Sequence, residues 1–192
     1  MELNDAIDTR RALRSLAPDP VPEGLIRDVM ERVRLAPSCF NNQPWRFVFV
    51  RSAGPLAAVK AALSKGNAWA QAAPMIVAVL SRRDLDCVIE PPGRSAREYF
   101  LFDTGMATAY LLLLLTEAGF VAHPIAGYDE RAAAEAVGAG GGMTVVTLVI
   151  AGRRAAGPSP LLSEKQRAVE LARPGRKPVD EVAFLDRYAP ST

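Results

Sequence analysis

Residues 36–47, with the sequence A-P-S-C-F-N-N-Q-P-W-R-F, mark the point where a helical pattern gives way to a strand pattern. Apolar residues recur at near-helical spacing before this stretch, and aromatic and β-branched residues follow it from Trp45 onward. Pro37 and Pro44 bracket the loop and stiffen it, because proline fixes φ and lacks an amide proton. Two interpretations stay open: a rigid loop whose side-chain amides hold a polar ligand, or a tight turn whose amides satisfy its own backbone.

Helix and strand patterns continue on both sides of this loop. Residues 74–81 form an apolar run of strand length, which is typical of a buried central strand. The other predicted strands span residues 45–51 and 144–151, with a further short edge strand at 182–185. The predicted helices span residues 4–16, 23–35, 55–63, 67–73, 95–118, 129–137 and 163–171. Few strands among many helices favour an α+β or mixed-sheet domain.

Size and composition limit the classes of function. A chain of 192 residues, 49% of them hydrophobic, is long enough for one domain with a sizeable core. A net charge of +2 argues against nucleic acid as a partner. The N-terminal segment has no apolar signal pattern, and the most apolar stretch, residues 106–115, is too short to span a bilayer. We therefore expect a soluble, cytoplasmic protein.

The cysteine and histidine content predicts neither a disulfide framework nor a metal site. Cys39 and Cys87 are too few for such a framework, and His123 is the only histidine. No base is placed by motif to activate Cys39, so we interpret it as a small packing residue. His123 is likewise interpreted as structural, because no motif supplies a catalytic partner for it.

Basic residues are clustered at two places far apart in the chain. Arg10, Arg11 and Arg14 lie within five residues, and on a helix Arg10 and Arg14 would point the same way and repel each other. An anion between them would remove that repulsion and gain charge-assisted hydrogen bonds. A second cluster in the tail comprises Arg173, Arg176 and Lys177. Both clusters could close on one phosphate group, or each could be a solvated basic face.

The segment H-P-I-A-G at residues 123–127 could bring backbone amides close to a ligand, because alanine and glycine permit close approach. The alternative is an ordinary turn after the long predicted helix. The glycine-rich residues 138–142 lack the Lys-Ser/Thr pair of a P-loop, and we interpret them as a loop.

Several motifs together resemble the FMN-dependent nitroreductase superfamily across nearly the whole chain. They are R-R-A-L-R at 10–14, P-D-P-V-P-E at 18–23, P-S-C-F-N-N-Q-P-W at 37–45, D-T-G-M-A at 103–107, G-F-V-A-H-P-I-A-G-Y at 119–128 and R-K-P at 176–178. The resemblance implies a single α+β domain over residues 1–192, with three layers and a central, mostly antiparallel sheet flanked by helices. It also implies an intertwined homodimer with FMN at the interface, in which the tail, about residues 153–192, extends onto the partner.

The resemblance implies a cofactor-binding role for each matching position. The FMN phosphate would be held by Arg10, Arg14 and Arg176. The backbone of Arg11 and Ala12 would line the flavin, although Ala12 replaces the family's usual serine. The flavin ring would be contacted by Pro37, Ser38, Cys39 and Asn41 from the partner subunit, by Asn67 at its edge, and by Pro124, Ile125, Ala126 and Gly127 along its length.

Two further departures from the family pattern affect this site. Ala126 stands where some members have an acidic residue, and either its amide or that of Gly127 would lie near the flavin N5. Pro174 stands where a second basic residue of the tail is expected, so Arg173 or Lys177 would have to compensate.

The implied activity is a ping-pong oxidoreduction. NAD(P)H would give hydride to the flavin N5, and a nitroaromatic, a quinone or a related acceptor would then take the electrons. Three alternatives stay open: a non-catalytic FMN-binding or storage protein, an enzyme of the same scaffold with another reaction (ene reduction, dehalogenation or flavin destruction), and an anion-binding dimer without flavin. The resemblance implies no catalytic side chain, because the flavin carries the chemistry.

Overall fold

An antiparallel sheet of four strands forms the centre of the fold. The computed structural model describes residues 1–189. Its helices and strands, in chain order, are α1 (Leu3–Thr9), α2 (Glu23–Val33), β1 (Arg46–Val50), α3 (Ala53–Ala61), β2 (Met75–Ser81), β3 (Val88–Ile89), β4 (Arg97–Glu98), α4 (Phe100–Glu117), β5 (Val121–Ile125), α5 (Glu130–Ala136), β6 (Thr144–Gly152) and α6 (Glu164–Leu171). The sheet order is β1-β2-β6-β5, and all neighbouring pairs are antiparallel. Strands β3 and β4 form a separate short ribbon.

Alternating side chains of the central strands enter two separate cores. In β2, Ile76 and Ala78 contribute to one core, whereas Val77 and Val79 contribute to the other. All seven residues of β2 are buried, as expected for a strand covered on both faces. The apolar run that predicted a central strand is therefore confirmed.

Helices cover both faces of the sheet. Val33 of α2 and Leu111 of α4 pack in one core, whereas Val59 of α3 and Ala133 of α5 pack in the other. The second core also contains Trp69, from a 3₁₀ segment at Lys65–Ala72. The prediction of an antiparallel sheet flanked by helices is confirmed.

Helix α4 carries the strongest apolar signal in the chain. It has 18 residues and a mean hydropathy of 1.3, values that a membrane-spanning helix would also have. Eight of its side chains, among them Leu111 and Leu115, are buried within this chain. A buried core helix can have the same length and mean hydropathy, so these values alone do not indicate that α4 spans a membrane.

Three predicted elements differ from the structure. The first helix ends at Thr9 instead of continuing to residue 16, because residues 15–17 pair with distant backbone: Ala155 donates to the carbonyl of Ser15, and Ala17 donates to the carbonyl of Arg153. The long helix begins at Phe100, since residues 97–98 pair with β3. The edge strand predicted at 182–185 is absent from the described part of the tail, which instead has a 3₁₀ turn at Val179–Glu181.

Strand β5 was not predicted from the sequence. Its composition, V-A-H-P-I, includes Pro124, which lacks an amide proton and is unfavourable inside a sheet. The position of β5 at the edge of the sheet resolves this conflict, because an edge strand leaves one row of its backbone groups unpaired. The segment 123–127, left open as a turn, therefore begins as a regular strand.

Cys39 and Cys87 form a disulfide, which corrects the interpretation of Cys39 as a small packing residue. The bond ties the loop after α2 to the segment that leads into β3. The same loop contains Phe40, Asn41 and Gln43 with φ of 49°, 58° and 50°, a left-handed conformation that costs non-glycine residues free energy. The disulfide offsets that cost by holding the loop in place.

Reduction of the disulfide is expected to lower the melting temperature. The crosslink joins residues 48 positions apart, and crosslinks of this kind typically stabilise a fold by about 2–4 kcal/mol, which corresponds to roughly 5–15 °C for a chain of this size. Calorimetry with and without a reductant measures the shift. The Cys39→Ser/Cys87→Ser double variant is the control, since its melting temperature should not respond to the reductant. Equal melting temperatures of oxidised and reduced wild type would contradict the stabilising role.

Candidate functional site

Both basic clusters meet in one small pocket. Its volume is about 90 Å³. The lining residues are Arg10, Arg11, Ala12, Arg14, Val169, Arg173, Pro174 and Arg176. Five arginines from segments about 160 residues apart in the chain therefore surround one cavity, so the interpretation of two separate solvated faces is wrong.

The pocket depends on the non-helical path of residues 10–15. Arg10 caps the C-terminus of α1 with ψ of 118°, so Arg10 and Arg14 are not on one helix as the sequence suggested. The guanidinium of Arg173 donates to the backbone carbonyls of Asp8 and, at 3.1 Å, of Arg10. The tail thereby fixes the end of α1 and holds the two basic segments together.

The pocket concentrates positive charge, since five of its eight lining residues are arginines. Burial lowers the pKa of Arg10 from its ordinary value, and the nearby guanidinium groups of Arg173 and Arg176 lower it further. Nη1 of Arg14 is buried and has no hydrogen-bond partner among the described residues. An unsatisfied buried donor of a charged group is costly, so a bound anion would stabilise this arrangement. The pocket has the donors that a phosphate monoester requires.

Arg14 lies at one end of a stack of three side chains. Its guanidinium carbon is 5.8 Å from the centroid of the Trp69 ring, at cation–π distance. The imidazole of His123 stacks on the Trp69 ring, with a centroid separation of 4.8 Å and an interplanar angle of 28°. Nδ1 of His123 lies 3.0 Å from the carbonyl oxygen of Leu13. Within the Arg10–Arg14 segment, the stack therefore supports the backbone at Leu13 and the side chain of Arg14.

Trp69 also connects the arginine pocket to the segment 123–127. Its Nε1 donates to Oδ1 of Asn67 at 3.2 Å, and Nδ2 of Asn67 donates to the carbonyl oxygen of Gly127 at 2.8 Å. A Cβ at Gly127 would approach Nδ2 of Asn67 and Oγ of Ser64 to 2.6 Å, so only glycine fits there without a shift. Four residues predicted for one site (Arg14, Asn67, Ala126 and Gly127) thus lie along one connected path.

The loop containing Pro37, Ser38, Cys39 and Asn41 lies elsewhere. The backbone amide of Cys39 donates at 2.6 Å to Oδ2 of Asp103 in α4, and none of the loop's residues lines the arginine pocket. Burial raises the pKa of the Asp103 carboxyl, and the adjacent Asp86 raises it further. The predicted contact of this loop with a ligand of the partner subunit stays a prediction.

The tail positions predicted from the sequence separate into two groups. Arg173 and Arg176 line the pocket, so Arg173 supplies a second guanidinium where Pro174 cannot. Lys177 lies outside the lining and is 3.5 Å from the carboxylate of Glu181. Of the two residues considered as compensation for Pro174, Arg173 is the one that reaches the pocket.

Known proteins share this fold and sequence pattern. The family model described as the nitroreductase family matches residues 7–66 and 53–153. The chain belongs to the nitroreductase family. It is 32% identical over 148 residues to an NADH dehydrogenase from Thermus thermophilus, a match that covers 64% of this chain and 72% of that protein. The family prediction is therefore confirmed.

Solved structures agree with this family assignment at the level of the fold. A crystal structure of an oxidoreductase containing FMN superposes with a TM-score of 0.83 and 23% identity, over 100% of this chain and 95% of that one. The FMN- and NADPH-dependent nitroreductase NfnB from Sphigopyxis sp. strain HMH superposes with a TM-score of 0.73 and 18% identity, over 98% and 100% of the two chains.

Two residues beside the arginine pocket, and one that holds the Pro37–Asn41 loop, were missed in the sequence. Trp69 lies in the stretch K-G-N-A-W-A-Q-A, which has no recognisable pattern, and only the size of its side chain indicates a place in the core. Glu170 reads as one more charged residue of a polar helix, yet it is 3% exposed and contacts residues 14 and 15. Asp103 was noted only as part of the motif D-T-G-M-A, although a buried carboxylate in an apolar helix is a usable signal.

His123 should make this family member less stable in mild acid. Burial, together with Arg14 and Arg10, lowers the pKa of His123 from 6.5 to about 4, against the opposing contributions of the Leu13 carbonyl and Glu170. Between these two values the unfolded chain binds the proton and the folded chain does not, so folding free energy is lost as the pH falls. The loss between pH 7 and pH 5 should be about 2 kcal/mol.

Urea unfolding of wild type and of His123→Phe at the two pH values tests this expectation. The phenylalanine keeps a ring on Trp69 but does not titrate, so its unfolding free energy should change by about 2 kcal/mol less than that of wild type. Parallel pH dependences of the two proteins would show that His123 is not the group responsible.

Proposed function

We propose that the chain is an FMN-dependent NAD(P)H oxidoreductase that passes electrons to nitroaromatic, quinone or related acceptors. The observation that carries the proposal is the buried, unpartnered Nη1 of Arg14 within a pocket lined by five arginines. A phosphate monoester carries nearly two negative charges and several acceptor oxygens, which suits such a cluster.

The residues of the pocket would have different roles in phosphate binding. Arg14, Arg10 and Arg176 would supply charge-assisted hydrogen bonds to phosphate oxygens. Arg11 and Arg173 donate to backbone carbonyls of other segments, so they would mainly hold the pocket in shape. Arg176 donates only to the carbonyls of the preceding Pro174 and Gly175, at 3.3 and 3.4 Å, and does not join two segments. Ala12 offers only its backbone, so this site would bind FMN with one side-chain bond fewer than the usual serine allows.

The path from Arg14 to Gly127 supports a flavin that extends away from the phosphate. The Trp69–Asn67 bond fixes the Asn67 side chain, and the lack of a Cβ at Gly127 lets this side chain lie against the Gly127 backbone. Ala126 or Gly127 would present a backbone N–H at the flavin N5, with Pro124 and Ile125 beside them. Bound FMN would supply the carrier that accepts hydride from NAD(P)H and returns electrons to the acceptor.

The names of three similar proteins support the donor and the cofactor. The structure that superposes with a TM-score of 0.83 is an oxidoreductase containing FMN, and NfnB is FMN- and NADPH-dependent. The protein from Thermus thermophilus is named for NADH. These names support a nicotinamide electron donor, and they do not distinguish NADH from NADPH.

We further propose that the active unit is a homodimer, as the resemblance implied. Apolar side chains on α1 and α4 are exposed: Leu3, Ile7, Leu101 and Phe102 are 65%, 49%, 49% and 62% exposed. Leu101 and Phe102 form an apolar face at the start of α4, whereas α1 lies at the other end of that helix, where the N-terminal amine is 3.9 Å from Glu117. A second copy that covers this face of α4 would bring its Pro37–Asn41 loop to the flavin of the first, as the resemblance implies.

A non-catalytic flavin-binding protein is the second candidate, and the missing serine at Ala12 is the observation that favours it. Such a protein would bind FMN but would not turn over nitroaromatics, quinones or enones. Steady-state assays with that panel separate the two candidates. They also separate ordinary nitro and quinone reduction from ene reduction on the same scaffold.

Arg14→Gln should weaken FMN binding strongly. The variant removes the guanidinium with the unpartnered donor, and a charge-assisted bond is worth about 1.5–3 kcal/mol, so the dissociation constant should rise about 10- to 150-fold. Quenching of flavin fluorescence during titration measures it. Arg32→Gln, at an exposed position of α2, is the matched control, since it makes the same charge change away from the pocket. Equal FMN affinity in Arg14→Gln and wild type would sink the assignment of the pocket.

Phe102→Glu should separate the two subunits. Wild type should sediment as a dimer, at twice the chain mass of 20.6 kDa, whereas the charge on the apolar face should produce a monomer with unchanged far-ultraviolet circular dichroism. Because the partner would supply the Pro37–Asn41 loop, the monomer should also lose FMN affinity. A wild-type protein that sediments as a monomer at micromolar concentration would contradict the dimer.

A further inference from the structure

We propose that Glu170 is the positioning residue that shapes the phosphate-binding segment Arg10–Arg14. The proposal rests on the proposed function, since it assigns how the same pocket acquires its geometry. Glu170 lies near the end of α6, in the tail, and is only 3% exposed. A carboxylate buried to this degree must be satisfied by strong hydrogen bonds.

Both carboxylate oxygens of Glu170 are bound by the backbone of the arginine segment. Oε2 accepts from the amide of Arg14 at 2.9 Å, and Oε1 accepts from the amide of Ser15 at 3.0 Å. Two successive amides held by one carboxylate fix the direction of the backbone at Arg14. The side chain with the unpartnered Nη1 thereby starts from a defined point at the wall of the pocket.

A second contact holds the same helix end and segment together. Nη2 of Arg11 donates to the carbonyl oxygens of Val169 at 2.9 Å and of Glu170 at 3.2 Å. These are C-terminal carbonyls of α6, which lack helical partners and attract a cation. The Glu170 carboxylate binds the backbone amides of residues 14–15, and the Arg11 guanidinium binds the backbone carbonyls of residues 169–170. These contacts form a reciprocal clamp between residues 11–15 and 169–170.

The charge of Glu170 makes its role testable. A carboxylate near five arginines reduces the positive potential that attracts a phosphate, so electrostatics alone predict tighter anion binding when this charge is removed. The clamp predicts the opposite, because an uncharged or shorter side chain leaves a buried amide without its acceptor and frees the backbone of Arg14. The sign of the change in affinity therefore distinguishes positioning from simple charge.

The experiment compares the binding of FMN and of riboflavin, which has the same ring but no phosphate. Glu170→Gln removes the charge and one strong acceptor, and Glu170→Asp keeps the charge but withdraws the carboxylate by one methylene. Glu164→Gln, on the exposed side of α6, is the matched control for the charge change. Fluorescence titration yields both dissociation constants, and thermal unfolding checks that each variant is folded.

We expect Glu170→Gln to weaken FMN binding at least 10-fold, Glu170→Asp to weaken it about 3- to 10-fold, and both to change riboflavin binding less than 2-fold. Glu164→Gln should bind both ligands as wild type does. Unchanged or tighter FMN binding by the two Glu170 variants would overturn the proposal. Equal loss for FMN and riboflavin would also overturn it, since that pattern indicates general support of the fold. If Glu170→Gln does not fold, Glu170→Asp decides by the same criteria.

The wild-type titration separates this inference from the proposed function. A wild type that binds no flavin would refute the flavin assignment, and the same variants would then be compared by calorimetry with inorganic phosphate as the probe. Weaker phosphate binding by Glu170→Asp would still support the clamp. A wild type that binds neither flavin nor phosphate would refute both.

Discussion

Mutual repulsion among five guanidinium groups is the constraint on which the site depends. The fold brings Arg10, Arg11 and Arg14 together with Arg173 and Arg176, although like charges repel and one buried donor stays unpaired. The chain offsets part of this cost internally, through backbone carbonyls that accept from Arg11 and Arg173 and through the Trp69 ring under Arg14. In the proposed function, a bound phosphate would recover the remainder of this free energy.

The fold that supports the pocket could largely be predicted from residue patterns. The strand β2 follows from an uninterrupted apolar run, and α2 and α4 follow from their apolar spacing and composition. Prediction failed where tertiary contacts override local preference. Residues 10–16 have a helix-compatible composition, but the end of this segment pairs with residues 153–155, and β5 contains a proline that only an edge position tolerates.

The site was predicted through family motifs, and the supporting residues were not. The two arginine clusters were recognised from their charge and again within the family motifs, and the structure brings them together. Glu170 and Trp69 lie outside the quoted motifs. Nothing in the local sequence shows that Glu170 contacts a segment 100 or more residues away, or that Trp69 stacks on His123. The Cys39–Cys87 bond was missed for a related reason, because a single pair of cysteines carries no spacing signal.

The central claim is that the arginine pocket serves a working flavin enzyme, and one spectrum tests it most directly. The purified protein, supplied with FMN and freed of excess, is placed under anaerobic conditions and titrated with NADPH and then with NADH. The account predicts flavin absorbance bands that bleach with at least one donor and return when an acceptor is added. A protein that retains no flavin, or whose bound flavin neither donor bleaches, would contradict it.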